Sequence, residues 1–129
     1  MEKIYITTPL YYVNDKPHIG HGYTTILADV LARYNKMLNK KVFFLTGTDE
    51  HGQKVQEAAE KLGTTPKNHV DKFHKNYISL WKKLNINYDR FIRTTEETHV
   101  NKVKKMLTKL WEQGEIYIAE YEGLYSVSE

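Results

Sequence analysis

Thr7-Thr8-Pro9-Leu10-Tyr11-Tyr12-Val13-Asn14-Asp15-Lys16-Pro17-His18-Ile19-Gly20-His21-Gly22 is the stretch whose reading decides the fold. It follows a short apolar strand, Ile4-Tyr5-Ile6, and passes through a turn broken by proline and asparagine. Pro17 then opens a long helix carrying two imidazoles, His18 and His21, three positions apart and so on one face. A helix start presents unpaired N–H groups and a partial positive charge, which suits an anion. Gly20 has no side chain, so a flat ligand or a phosphate can lie close to the backbone there. In outline this is a nucleotide-phosphate site. The same spacing also fits two histidines that simply cap a helix and meet solvent.

Outward from that stretch, the pattern is strand, helix, strand. Leu27, Val30, Leu31, Tyr34 and Leu38 follow helical spacing over about residues 19–38, and Asn39 is a plausible stop. Val42-Phe43-Phe44-Leu45 is apolar without alternation, as expected of a parallel strand buried on both faces. Such a βαβ unit has a right-handed crossover. Thr46-Gly47-Thr48-Asp49-Glu50-His51-Gly52 reads as a polar loop at the strand's carboxyl end, where open α/β sheets bind ligands. Both loops are therefore expected on one edge of the sheet. Asp49 alone would otherwise read as a turn residue bonding its own backbone. Glu50 and His51 with His18 or His21 make only a weak metal pattern, and Lys36, Lys40 and Lys41 read as a solvated helix end.

Further on, Val55, Ala58, Ala59 and Leu62 mark a second helix ended by Gly63. Thr65-Pro66 caps a third, with a core stripe of Val70, Phe73, Tyr77, Leu80, Trp81 and Leu84. Phe91-Ile92 is a short strand. Thr94 and Glu97 form a capping box for a fourth helix, with Val100, Val103, Leu107, Leu110 and Trp111 as its stripe and Gly114 as its end. Ile116–Ile118 and Leu124–Val127 read as the arms of a β-hairpin.

Composition narrows the class. The 129 residues are the size of one domain, with 40% hydrophobic residues, ten tyrosines and two tryptophans to build a core. A net charge of +3 is too small for a nucleic-acid-binding charge pattern. Without cysteine there is neither a disulfide framework nor a thiolate metal site. No apolar run approaches membrane-spanning length, and Met1-Glu2-Lys3 leads straight into a strand with no room for a signal peptide. A cytoplasmic protein with no membrane partner is expected.

The proline followed by His18-Ile19-Gly20-His21, and then Thr46-Gly47-Thr48-Asp49-Glu50-His51-Gly52-Gln53-Lys54, resemble the class I aminoacyl-tRNA synthetases. With Pro9-Leu10-Tyr11-Tyr12-Val13-Asn14 added, the pattern is similar to the methionyl-tRNA synthetase family, over essentially the whole chain. The resemblance implies an α/β fold: a Rossmann-like parallel sheet with flanking helices, present as an incomplete half, leading into a β-rich connective insertion. It divides the chain into residues 1–114, half of a nucleotide-binding catalytic domain, and residues 115–129, the start of the insertion.

The activity it implies is activation of L-methionine by ATP, taken as its Mg2+ complex, followed by transfer to tRNA(Met). His18 and His21 would act in catalysis and, with Gly20, bind ATP. Pro9, Leu10, Tyr12 and Asp49 would bind methionine, Asp49 holding its ammonium group and Tyr12 lying over the side-chain pocket. The family's second phosphate motif, Lys-Met-Ser-Lys-Ser, is missing from these residues, as is an anticodon-binding helical domain. Ser126 and Glu129 stand where zinc-bearing relatives have cysteines, so no zinc is expected here. A fragment of a longer chain is implied, inactive alone, with the Val70–Leu84 stripe exposed and prone to association. Competing readings are another class I synthetase and a non-catalytic nucleotide- or methionine-binding module.

Overall fold

β-Branched and aromatic residues alternate in β1 (Lys3–Thr7), and the nine-residue β3 (Lys41–Asp49) pairs with it in parallel register, Ile4 with Val42 and Ile6 with Phe44. The computed structural model describes residues 2–124. Between and after these strands come β2 (Tyr11–Tyr12), α1 (Ile19–Met37), α2 (Gln53–Lys61), α3 (Pro66–Lys83), β4 (Arg90–Arg93) and α4 (Glu97–Glu112). All four strands are parallel and β3 is the hub of the sheet. Leu45 pairs with both Thr7 and Arg90, and Thr48 with both Tyr11 and Arg93. A strand has two edges. β4 therefore takes one edge of β3, and β1 and β2 follow one another along the other.

Two local readings change. Tyr11–Tyr12, expected within a broken turn, is a strand, because Pro9 interrupts the extended chain only briefly before it rejoins β3 at Thr48 and Asp49. Residues 46–49, expected as loop, continue β3, since β2 and β4 flank them and satisfy their backbone. Asp49 is thus a strand-end residue.

Helix α1 lies on the sheet through Gly22, Thr25, Ala28, Asp29 and Ala32, not through the large apolar residues. Leu27, Val30, Leu31, Tyr34 and Leu38 are all about half exposed. The small face wins because it lets the helix approach closely and lets Asp29 reach inward. Asp29 accepts from Arg33 Nε at 2.6 Å and from the Asn87 backbone N–H at 2.8 Å, which ties α1 to the turn before β4. The exposed apolar surface expected on Val70–Leu84 sits instead on α1. Val70, Tyr77 and Trp81 are buried, in a core with Tyr11, Val13, Phe44, Val55 and Ile86. Helix α4 buries no residue fully. Phe43 is also exposed, against Tyr5, so one face of β3 is uncovered at that point.

Thr65 caps α3 as expected, its hydroxyl accepting from the Asn68 N–H. The Thr94–Glu97 box does not form. Glu96 is the N-cap of α4, and the Thr94 hydroxyl instead accepts from the Glu50 N–H at 2.9 Å. Residues 116–118 form no strand among the described residues, and the second arm of the expected hairpin lies outside them beyond Leu124. Lys36 and Lys40 are not merely solvated; they pair with Asp89 and Glu2.

Candidate functional site

The carboxyl ends of the strands meet the start of α1, and the two histidines are held there by the helix itself. His18 is the N-cap, its Nδ1 accepting from the Gly20 N–H at 3.1 Å. His21 reaches back, its Nδ1 accepting from the His18 N–H at 3.0 Å. This is a reciprocal capping box built from imidazoles. The capping and site readings are therefore compatible. A neutral ring whose Nδ1 accepts a hydrogen bond carries its proton on Nε2. Both rings consequently have Nε2–H as their free donor. They stack with centroids 3.8 Å apart.

Gly20 matters through His18. A Cβ at position 20 would stand 2.9 Å from His18 Cε1, so the missing side chain lets that ring fold over the helix start. Beneath His21 lies an aromatic floor: Tyr11 meets its edge at 4.8 Å between centroids and Tyr77 at 5.4 Å. The Thr25 hydroxyl donates to the His21 carbonyl at 2.8 Å, so the Tyr11 hydroxyl donates to Thr25, also at 2.8 Å. Tyr77 donates to the Tyr12 carbonyl at 2.9 Å. Burial first, then the charges of Asp15 and Tyr11, push its phenol up to about 12, so it remains a donor at neutral pH.

Tyr12 and Asp49 face one another in register across β2 and β3. Tyr12 is exposed and Asp49 half-buried. The Thr94 hydroxyl approaches Asp49 Oδ1 at 3.5 Å. Pro9 is exposed and Leu10 half-buried between β1 and β2, with the Pro9 carbonyl taken by the Thr8 hydroxyl. His18 and His21 thus touch directly, Tyr12 and Asp49 are strand partners, and Tyr11 joins the two pairs. Its ring meets His21 while its backbone pairs with Thr48. Sequence reasoning missed Tyr11, Thr25 and Tyr77 as supports. Tyr77 was legible only as core, because its contact with Tyr12 spans 65 positions.

Glu50 turns inward and is 4% exposed, so it cannot join His18 or His21 at a metal. Among the described residues no three histidine or carboxylate side chains converge as metal ligands. A depression of about 790 Å³ beside α2 is lined by His51, Gln53, Glu57, Glu60 and Pro66. Its acidic wall has no lysine or arginine, which makes it unsuited to phosphate. No helix among the described residues is long and apolar enough to cross a membrane.

Burial first, and then the neighbouring His18, hold His21 below its ordinary value of 6.5. Protonation would also put a proton on Nδ1 and break the bond from the His18 N–H. With the folded value depressed, the unfolded chain binds more protons near pH 6. The His21 contribution to stability is therefore fully present above about pH 6.5 and is lost as pH falls through and below that value. Urea unfolding at pH 7.5 and 5.5 should show the drop, and His21→Phe should shrink it. An equal drop in that variant would assign the effect to other groups.

Comparison with known proteins gives a consistent result. The family described as tRNA synthetases class I (M) matches residues 4–129. Methionine–tRNA ligase of Enterococcus faecalis is 52% identical over 128 residues, which is 99% of this chain and 19% of that protein. The chloroplastic/mitochondrial methionine–tRNA ligase of Arabidopsis thaliana is 50% identical over 98% of this chain and 21% of its own length. The solved structure of Mycobacterium tuberculosis methionyl-tRNA synthetase in complex with methionyl-adenylate superposes with a TM-score of 0.93 at 39% identity. It is matched over 99% of this chain and 25% of that one. The chain spans about a fifth of the length of the curated relatives it matches.

Proposed function

The chain belongs to the family of tRNA synthetases class I (M), and from that membership we propose that it contributes the methionine- and ATP-handling half of a methionine–tRNA ligase. The observation that carries the proposal is the imidazole capping box. It aims two neutral Nε2–H donors from a helix start, at the end of a parallel sheet, in a protein 52% identical to methionine–tRNA ligases.

In the proposed reaction the methionine carboxylate attacks the α-phosphorus of ATP, taken as its Mg2+ complex, and pyrophosphate leaves. His18 and His21 donate to phosphate oxygens as charge builds on them, with the helix start adding its own partial charge. Their rings are fixed before substrate arrives, so little reorganisation is needed. Gly20 serves the nucleotide site through His18, whose ring it lets fold over the helix start. Asp49 takes the substrate's ammonium as a charge-assisted contact. Tyr12, Pro9 and Leu10 border a pocket in which an aromatic ring suits a flexible thioether. The methionyl group then passes to tRNA(Met), bound by regions outside these residues. Residues 1–114 would form half of the catalytic domain and 115–129 the start of an insertion without zinc, in a cytoplasmic enzyme.

Methionine-dependent ATP–pyrophosphate exchange tests this. The full gene product should exchange, and the 129-residue chain alone should not. Exchange by the short chain would mean that a second phosphate motif is dispensable. No exchange by the full product would leave a nucleotide- or methionine-binding module.

A further inference from the structure

Two carboxylates adjoin at the end of β3, and the structure treats them oppositely. Asp49 has no cationic partner among the described residues, and the salt bridges formed nearby all bypass it. Glu50 is sealed in. Its Oε1 accepts from the Thr48 hydroxyl and from Arg93 Nε, each at 2.8 Å, and its Oε2 accepts from the Thr95 hydroxyl. The other arm of Arg93 donates to Asp71 on α3 at 2.6 Å, and Lys67 holds the second oxygen of Asp71. Lys67 first, and then Arg93, keep the Asp71 carboxyl down at about 2. Charges alternate along this row and cancel.

We infer that Arg93 and Glu50 are a positioning pair for the methionine-binding end of β3. They hold the strand end in register and leave Asp49, of the two carboxylates there, the one without a cationic partner among the described residues, available for the substrate's ammonium. The inference rests on the function proposed above. The linkage runs through the backbone: Arg93 ends β4, and the next residue, Thr94, accepts from the Glu50 N–H and approaches Asp49 Oδ1. Its own N–H donates to the Thr48 carbonyl at 3.2 Å. Without Arg93, the buried Glu50 charge keeps only the Thr48 and Thr95 hydroxyls and has no cationic partner. It must take up a proton or swing out beside Asp49, where a second carboxylate would disturb the ammonium contact. The histidine pair would be affected far less, because the hydroxyls that support it, those of Tyr11, Thr25 and Tyr77, bond to Thr25, His21 and Tyr12 rather than to Glu50 or Arg93.

The test is methionine-dependent ATP–pyrophosphate exchange by the full gene product, with KM measured separately for methionine and ATP. Arg93→Met should raise KM for methionine at least tenfold and leave KM for ATP within twofold. Arg93→Lys keeps the charge but loses the two-sided fork, and should fall between. Adding Glu50→Gln to Arg93→Met removes the unpaired charge and should recover part of the loss. If Arg93→Met does not fold, Asp71→Asn and Thr95→Val decide; each should raise KM for methionine about threefold. Equal changes in both KM values, or none, would overturn the positioning role. An unmodified product that never exchanges would overturn the proposed activity, and this inference with it.

Discussion

Replacing His21 with alanine is expected to lower methionine-dependent ATP–pyrophosphate exchange by the full gene product by about 10² to 10³-fold, the usual cost of one lost transition-state donor. The loss should fall on kcat, with KM for methionine little changed, because the methionine contacts proposed for Asp49 and Tyr12 lie on other elements. Two functions of the ring are entangled in that variant. Nδ1 caps the helix by accepting from the His18 N–H, while Nε2–H is the free donor. They can be separated by shape. An asparagine amide reaches only as far as Nδ1, so His21→Asn keeps the cap and loses the donor. A glutamine amide extends to where Nε2 lies, so His21→Gln keeps a donor and gives up the cap. Exchange should survive better in His21→Gln, and stability better in His21→Asn. The reverse order in exchange would mean that His21 matters only as a cap.

Gly47→Ala is expected to destabilise the fold by at least about 3 kcal/mol, at or above the upper end of ordinary overpacking costs. A Cβ at that position would stand 2.0 Å from the Ile92 carbonyl oxygen and 2.6 Å from its Cγ2. Cβ has no rotamer with which to escape, and the carbonyl belongs to β4, the strand in register with Gly47. Relief would require β4 to leave the β3 edge, and with it the Arg93–Glu50 pair. Urea unfolding of the full product would measure the change. Trimming the side chain in Gly47→Ala/Ile92→Ala should not restore stability, because the carbonyl remains. Recovery in that double variant would show that the Ile92 methyl, not the backbone, sets the limit. By contrast Gly52, Gly63 and Gly114 face open space and serve their turns through positive φ.

These two residues mark what could be read from the chain and what could not. His21 was legible because its chemistry is local. A second imidazole three residues away, a helix start and an intervening glycine are all written in five consecutive positions. Gly47 was legible only as one glycine of a polar loop. Its reason lies 45 positions away, in a strand whose closeness no local pattern announces. A separation of 43 positions likewise hid the Glu50–Arg93 pair.

Where periodicity was misread, packing explains the error. The large apolar stripe of α1 had the spacing of a core face, but the sheet accepts the side with Gly22, Ala28 and Ala32, which permits the closer approach. A helical period says that a helix has two faces. It does not say which one finds a partner, and in α1 both are non-polar enough to compete. Likewise Thr94 had the spacing of a capping box, yet its hydroxyl is worth more satisfying the Glu50 N–H at a buried strand end than capping an exposed helix.

By itself, then, the sequence determined the parallel βαβ order, the helix cap at Thr65 and the family, while the cap at His18 stood there only as the alternative to a site. Only the tertiary structure decided which face of α1 is buried, that residues 46–49 are strand, and that Glu50 is neutralised while Asp49 is left free. Those outcomes depend on contacts between distant segments, where burial and charge compensation outweigh local preference.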